Sequence, residues 1–142
     1  MVHALQEASR VLAASGSLLD LRPLSSKPPI EVVTPGGAVQ VGVLDDSQTP
    51  DDAAVDRAMR QAVEIGWFVS HGGDTQFHTE HYWDTVKEMA EFIETRRTKP
   101  KVHPSYADIE KTYEDLSAKT SESVRLRCRW LGLLAVYRKA AG

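Results

Sequence analysis

The segment SHGGDTQFHTEH, residues 70–81, holds the densest group of metal ligands and proton-transfer groups in the chain. The residues on either side of the turn GGDT favour strands, so we expect a hairpin in which His71 and His78 lie close across the turn. Side chains alternate along a strand, which puts His78 and Glu80 on one face and His81 on the other. Two histidines and a carboxylate suit a divalent transition metal, which makes His71, His78 and Glu80 the candidate ligands. The alternative is a polar, partly exposed hairpin without a site.

Three arginines, Arg125, Arg127 and Arg129, alternate with apolar residues in the strand-like segment RLRCRWLGLLAVYRK. Guanidinium groups bind carboxylates and phosphates through paired hydrogen bonds. Arg127 and Arg129 are therefore candidate contacts for an anionic ligand or for the acidic face of a partner. The alternative is a solvated strand face, neutralised by carboxylates that precede it in the chain. Those carboxylates are Glu110, Glu114 and Asp115.

Two acidic residues and four aromatic residues complete the candidate ligand contacts. Asp45 and Asp46 form a carboxylate pair at the end of a predicted strand, where ligand sites of α/β proteins tend to lie. The chemistry of a strand-to-helix loop explains this pair equally well. The aromatic residues would line an apolar pocket for a small molecule, or they belong to the core. They are Trp67, Phe77, Tyr82 and Trp130.

The elements that must position these residues begin with a helix that ends near Ala14, where Gly16 supplies a stop. A short, apolar, buried strand is expected over Ser17–Leu21, and Pro23 ends it. The segments IEVV and AVQVGVL, separated by TPGG, predict a hairpin. In its second strand the valines at positions 39, 41 and 43 share one face, which we expect to be the buried one.

The remaining helices have clear start signals. Thr49 and Pro50 are expected to cap and open a helix that ends at Gly66. A further helix is expected to start near Asp84, and another to be capped by Ser105. The last element is a long strand from Arg125 to Tyr137. The predicted order is therefore helix, strand, hairpin, helix, hairpin, helix, helix, strand.

Length and composition predict a single domain over residues 1–142, because a chain of this size is long enough for one continuous core. The chain is 42% hydrophobic and 26% charged, which is typical of a globular protein. Its net charge of −3 gives no electrostatic case for binding nucleic acid. No apolar run approaches the roughly 20 residues that span a bilayer, and the N-terminus does not resemble a signal peptide. We therefore expect a cytoplasmic protein that does not bind membranes.

A single cysteine, Cys128, excludes a disulfide within the chain and any metal cluster built from cysteines alone. It lies between Arg127 and Arg129, and these charges would lower the pKa of an accessible thiol and make it nucleophilic. The alternative, which its strand-like position favours, is a small buried core residue.

The segment EASRVLAASGSLLDL, Glu7–Leu21, resembles the helix and fifth strand of a class I S-adenosylmethionine-dependent methyltransferase. That family has the pattern EAxRVLxPGGxLLxL, and this chain has Ala14 and Ser15 where the family usually has proline and glycine. The segments PDDAAVDRAMRQAVEIGWF and RWLGLLAVYRK are similar to the family's next helix with its sixth strand and to its last strand. The segment FHTEHYWDTVKEMAEFI is similar to an aromatic strand and helix found in many small-molecule methyltransferases. The resemblance implies the C-terminal half of a Rossmann-like fold that closes with an antiparallel strand pair. The expected class is thus α/β to α+β, a mixed sheet with an antiparallel C-terminal portion and flanking helices.

The resemblance also implies that the cofactor-binding half of the fold is absent. The family binds S-adenosylmethionine on an early strand and a glycine-rich turn, and this chain has no GxGxxG. Its glycine pairs, PGG at Pro35–Gly37 and HGGD at His71–Asp74, lie between predicted strands and do not open a helix. We therefore expect no cofactor, unless a partner supplies the glycine-rich half.

A half-sheet leaves a strand edge unpaired, and proteins cover such edges by pairing or masking them. The resulting prediction is a non-catalytic, methyltransferase-like binding or assembly module that forms a homodimer or pairs with another subunit. One alternative is the substrate-side half of a split S-adenosylmethionine-dependent methyltransferase. Another is a small-molecule-binding α+β domain that takes an apolar or anionic ligand.

Overall fold

The computed structural model describes residues 1–24, 26–45, 51–96 and 99–141, apart from the side chain of Asp51. The described residues form four helices and seven strands. The helices are α1 (Val2–Val11), α2 (Asp51–Glu64), α3 (Val86–Glu94) and α4 (Tyr106–Ser117). The strands are β1 (Ser17–Pro23), β2 (Pro29–Thr34), β3 (Gly37–Asp45), β4 (Phe68–Ser70), β5 (Thr75–Trp83), β6 (Lys101–His103) and β7 (Arg125–Lys139). Every helix in this part of the chain is too short or too polar to span a membrane.

The strands form one sheet in the order β1-β7-β2-β3-β6, and both β4 and β5 also pair with β7. The pairs β1–β7, β2–β7, β2–β3, β3–β6 and β4–β7 are antiparallel. The protein is thus α+β, and the predicted antiparallel C-terminal portion is confirmed. The sheet is not mixed as expected, because antiparallel pairing extends to β2 and β3, which are joined by the tight turn at Pro35 and Gly36.

Two helices start where local side chains satisfy their first amides. The hydroxyl of Thr85 accepts a hydrogen bond from the amide of Glu88, and the carboxylate of Glu88 accepts one from the amide of Asp84. This reciprocal arrangement is a capping box. The predicted cap Ser105 likewise accepts from the amide of Asp108. The predicted caps Thr49 and Pro50 lie outside the described residues.

The chain divides into two compact units, and β7 contributes to both. The first unit comprises residues 1–24, 50–77 and 132–142, and the second comprises residues 25–49 and 78–131. The second unit contains a contiguous apolar core that packs α3 and α4 against its strands. That core consists of Ile30, Val32, Leu44, Trp83, Val86, Met89, Ile93, Ile109, Leu126, Cys128 and Trp130.

The hairpin of β2 and β3 is confirmed, but its predicted buried face is wrong. Gly42 and Leu44 are buried, whereas Val41 and Val43 are half-buried and Val39 is exposed. The reason is a close approach: a Cβ atom at Gly42 would lie 2.8 Å from the carbonyl oxygen of His103. Only the face with the glycine allows β6 and the loop after it to pack this closely.

In the first unit, α1 lies beside α2, and β1 and β4 pair with the C-terminal part of β7. Ala58, Met59 and Ala62 of α2 are buried, as is Phe68. The expectation that β1 is a buried strand is wrong, because the side chains of Leu19 and Leu21 are 62% and 66% exposed. Only the alternate residues of β1, on the side of α2, are partly covered.

Candidate functional site

The arginine row of β7 is paired with carboxylates inside the second unit. Glu31 is only 7% exposed and lies opposite Arg127 in the β2–β7 register. Its two carboxylate oxygens accept hydrogen bonds from Nε of Arg127 and Nη2 of Arg129, each at 2.8 Å. Nη1 of Arg127 also lies 3.5 Å from the carboxylate of Glu80.

These pairings settle how the arginines are neutralised, and the partners differ from those expected. The predicted carboxylates come from α4, but Glu31 comes from β2, and Arg125 pairs with Asp84 at 2.7 Å. A hydrogen bond with Tyr82 raises the pKa of Arg127, burial opposes this, and the contact with Glu31 raises it further. Arg127 and Arg129 remain candidate anion contacts, but an anion would have to compete with Glu31.

An aromatic cluster on the other face of β5 surrounds His81. Its ring lies 4.9 Å from the ring of Trp130 in an edge-on arrangement and 5.2 Å from the ring of Phe92. The guanidinium of Arg96 stacks 5.0 Å from the centre of Trp130. Burial lowers the pKa of His81, and the charge of Arg96 lowers it further. His81 therefore acts as a packing residue in this cluster, with a pKa below its ordinary value.

The predicted histidine hairpin is wrong, because β4 and β5 do not form a two-stranded hairpin around GGDT. Both strands pair with β7, and the amide of His71 donates a hydrogen bond to the carbonyl of Val136. Glu80 accepts a hydrogen bond from the hydroxyl of Tyr82 on its own face, and His78 is exposed. Across the described ranges, no three His, Cys, Asp or Glu side chains gather in a group that could hold a metal ion.

The predicted pocket of four aromatic residues does not form around Tyr82 and Trp130, because these residues lie on opposite faces of the second unit's strands. Tyr82 contacts Arg125 and Arg127, whereas Trp130 is buried beside His81. Side-chain alternation along β5 is the cause, since His81 and Tyr82 are neighbours in sequence.

Trp67 and Phe77, the other two residues of that predicted pocket, belong to the first unit and are half-buried. Trp67 follows α2, and its backbone carbonyl accepts a hydrogen bond from the amide of Ala140. The ring of Phe77 packs directly over Gly132. These positions give Phe77 a structural contact within the first unit.

Two further predicted residues have structural partners, and one cannot be placed. Asp45 ends β3, and its carboxylate lies 3.1 Å from the ammonium of Lys27. Asp46 lies outside the described residues. Cys128 is fully buried, and burial raises the pKa of its thiol to about 12. This thiol is a core residue, as its place in the strand favours.

Among the described residues, each unit also contains an open cleft. The cleft of the first unit has a volume of about 490 Å³ and is lined by α2, β4 and Tyr137. Burial and the carboxylate of Asp74 raise the pKa of Tyr137. The cleft of the second unit has a volume of about 510 Å³ and is lined by Tyr106 and the segment before it. Burial and Glu94 raise the pKa of Tyr106. Both linings mix polar and apolar side chains.

Beside the first cleft, Arg22 joins β1 to α2. Its guanidinium pairs with the carboxylate of Asp56 and donates a hydrogen bond to the backbone carbonyl of Asp52. Nε of Arg22 lies 3.2 Å from Oδ2 of Asp20. Both atoms are buried, and neither makes a well-aligned hydrogen bond within the described part of the chain.

The opposite side of the first unit's sheet exposes apolar side chains that sequence analysis did not identify as a surface. In the register, Leu19 lies opposite Val136, Leu21 lies opposite Leu134, and residues directly opposite each other share a face. Val69 lies on the same face, opposite Arg138, and is 49% exposed. We call this surface the outer face; its apolar residues are Leu19, Leu21, Val69, Phe77, Leu134 and Val136.

The outer face was missed because its signal is not local. The alternation SLLDLRP shows that Leu19 and Leu21 share a face. It does not show which face α2 covers, because that depends on the contact between Arg22 and Asp56, which are far apart in sequence. A patch of this kind, rather than a set of catalytic groups, is the most distinctive feature of the described surface.

No family model, curated protein or solved structure matches this chain.

Proposed function

We propose that this chain is a cytoplasmic, non-catalytic assembly module of methyltransferase-like ancestry that associates through the outer face of its first unit. The observation that carries the proposal is the exposure of Leu19 and Leu21 on a sheet face where their neighbours Val136 and Leu134 are also apolar. Side chains of this size gain about 1.5–3 kcal/mol each when they are fully buried. Association that covers the outer face would provide this burial.

The topology supports the ancestry. β1 corresponds to the fifth strand in the resemblance, and it pairs antiparallel with β7, which corresponds to the last strand. β4 follows α2, corresponds to the sixth strand, and also pairs antiparallel with β7. This is the closing antiparallel arrangement that the resemblance implies.

The side chains support a binding role rather than catalysis. The arginines that would hold an anion are engaged by Glu31, the cysteine is buried, and His81 packs among aromatic rings. Among the described residues, the leucines of the outer face point away from α2 and make no ion pair that a partner would have to break. A binding surface is therefore the function that the geometry supports best.

Sedimentation over a wide range of protein concentrations tests the proposal. We expect the mass to rise above the 15.7 kDa of one chain as concentration increases. Leu19→Lys should weaken this association because it places a charge on the outer face. The matched control is Val39→Lys in β3, which changes an exposed valine of the second unit and should leave association unchanged. A chain that sediments as a monomer even at near-millimolar concentration would contradict the proposal.

Calorimetric titration with S-adenosylmethionine tests the non-catalytic part. We expect no saturable heat, because the chain lacks the glycine-rich turn on which the family binds this cofactor. Saturable heat with the chain alone would contradict this expectation. Saturable heat only in the presence of a partner that carries the glycine-rich half would favour the enzymatic alternative, the substrate-side half of a split methyltransferase.

A further inference from the structure

The free edge of β1 has unusual properties for an exposed edge strand. Among the described residues, β1 pairs only with β7. The amide of Lys139 donates to the carbonyl of Gly16, and hydrogen-bonding direction alternates along an antiparallel strand. The backbone groups of Leu19 and Leu21 therefore point away from β7, towards the open side.

Edge strands are usually protected by lysines, bulges or prolines. The register between β1 and β7 runs without a bulge from Ser17 to Pro23. The outward-facing positions Leu19 and Leu21 are apolar, and the first proline is Pro23 at the end of the strand. The edge is thus open to another strand.

We propose that two copies of the chain join edge to edge through β1, antiparallel about a two-fold axis at Leu21. This proposal rests on the self-association in the proposed function and names a second copy of the chain as the partner. It places the contact at the edge of β1, beside the outer face, and leaves most of that face uncovered. The segment LLDLRPL, residues 18–24, is complementary to itself when one copy is read backwards. In this register Leu21 faces Leu21 of the second copy, and Asp20 faces Arg22 of the second copy.

Charge selects this register over its neighbours. A two-fold axis perpendicular to the sheet lies midway between the two β1 strands and keeps the outer faces of both copies on the same side. Because residues opposite each other share a face, one residue of β1 must then face its own counterpart, and the register is named by that residue. Centring it on Asp20 would oppose two carboxylates, and centring it on Arg22 would oppose two guanidinium groups, which is destabilising. Centring it on Leu19 would place Asp20 opposite an apolar residue. Only the axis at Leu21 places opposite charges across the interface, and it does so twice.

The side chains of Asp20 and Arg22 would also approach across the interface. Within one chain Nε of Arg22 and Oδ2 of Asp20 already form an ion pair at 3.2 Å, and the second copy would add to this pair. In the proposed dimer Asp20 and Arg22 form a non-hydrogen-bonded pair of backbones, the type of pair in which side chains approach most closely. The carboxylate of Asp20 and the guanidinium of Arg22 would then each lie near the opposite charge on the second copy.

The same pairing extends the outer face. Leu19 and Leu21 of both copies would lie side by side on one continuous sheet, next to Leu134 and Val136 of each copy. The backbone amide of Leu21 would donate a hydrogen bond to the carbonyl of Leu21 in the second copy, and the amide of Leu19 would donate one to the carbonyl of Pro23 in the second copy. Pro23 has no amide hydrogen, so the ladder would end there.

Disulfide trapping tests the register. Across a hydrogen-bonded antiparallel pair the Cα atoms lie about 5.5 Å apart, within the range that a disulfide bridges. Leu21→Cys should therefore form a covalent dimer under mild oxidation. The matched control is Leu19→Cys, whose counterpart would lie four residues away along the strand, about 13 Å, which is too far. The buried Cys128 should not take part.

The outcomes separate this proposal from the one on which it rests. Covalent dimers from Leu21→Cys and not from Leu19→Cys support the register. Equal or preferential trapping of Leu19→Cys would overturn it. A chain that sediments as a dimer but is not trapped through Leu21→Cys would refute edge pairing and leave the assembly function intact, whereas a monomer would refute both.

Hydrogen exchange in the unmodified chain gives a second measurement. The amides of Leu19 and Leu21 should exchange more slowly as protein concentration rises, because pairing protects them. The amide of Val69 is a reference in the same unit. Protection of Leu19 and Leu21 that does not depend on concentration would overturn the proposal.

Discussion

Replacing Gly132 with alanine should destabilise the protein, although glycine within a strand is normally a weakness. A Cβ atom at Gly132 would lie 2.6 Å from Cζ and 2.8 Å from Cε2 of Phe77. Carbon atoms pack best at about 3.5–4.0 Å, so the phenyl ring or β7 would have to move. Without this contact Gly132→Ala would be expected to stabilise the protein, because alanine is more stable than glycine within a strand by roughly 0.5–1 kcal/mol.

Two opposing contributions set the magnitude. Overpacking of a well-packed site costs about 1–3 kcal/mol. Subtracting the propensity gain leaves a net loss between about 0 and 2.5 kcal/mol in the free energy of unfolding, near 1 kcal/mol at the middle of both ranges. For a chain of this size each kcal/mol lost lowers the melting temperature by roughly 3–4 °C.

A double-mutant cycle with Phe77→Ala isolates the contact. Once the ring is removed, Gly132→Ala has room for its methyl group and should become neutral or stabilising. The difference between the two backgrounds is the interaction energy between positions 77 and 132. Unfolding in urea can be followed by tryptophan fluorescence, since the chain has three tryptophans.

Gly36→Ala is the matched control. Its new Cβ atom would lie 3.7 Å from the hydroxyl of Thr34, an ordinary contact, so the change should stay within about 0.5 kcal/mol. If Gly132→Ala stabilises the protein while Phe77 is present, the packing of Phe77 over β7 is refuted.

Three further predictions concern the second unit. Glu31→Ala should lower the free energy of unfolding by about 3 kcal/mol, because it leaves two arginines without their buried acceptor. The control Glu91→Ala breaks an exposed pair with Lys87 and should cost no more than about 0.5 kcal/mol. Equal losses for the two variants in urea denaturation would refute this prediction. The pKa of His81 is lowered in the folded protein, so on acidification the unfolded chain takes up a proton before the folded protein does. The free energy of unfolding should therefore be at its full value above the ordinary histidine pKa of 6.5 and should fall as the pH drops below it. His81→Gln should flatten that part of the pH profile. The buried thiol of Cys128 should react with a thiol reagent only as fast as the protein opens, and rapid reaction of the native chain would contradict its place in the core.

The helices could be predicted because their signals are local. The cap of α4, Ser105, lies within three residues of the amide that it satisfies, and α2 ends close to Gly66, where periodicity stops. Strand pairing is different, because it depends on segments far apart in sequence. GGDT and TPGG look alike as turns, yet TPGG joins a hairpin and GGDT joins two strands that each pair with β7.

The faces of side chains were more predictable than their partners. Alternation placed Glu80 and His81 on opposite faces, as the structure has them, because alternation is a property of a single strand. Alternation cannot identify Glu31 as the acceptor for Arg127. That contact follows from the β2–β7 register, which joins residues 96 positions apart.

The two ends of β7 differ in what an incoming partner would have to displace. An anion that binds Arg127 in place of Glu31 would leave this buried carboxylate with Arg129 alone, and the new contact would have to offset that loss. Leu134 and Val136, near the other end of the strand, lie on a face where Leu19 and Leu21 are already exposed, so a partner covers apolar surface and breaks no ion pair. Association at the outer face therefore loses less free energy in displaced contacts than anion binding at the arginine row does.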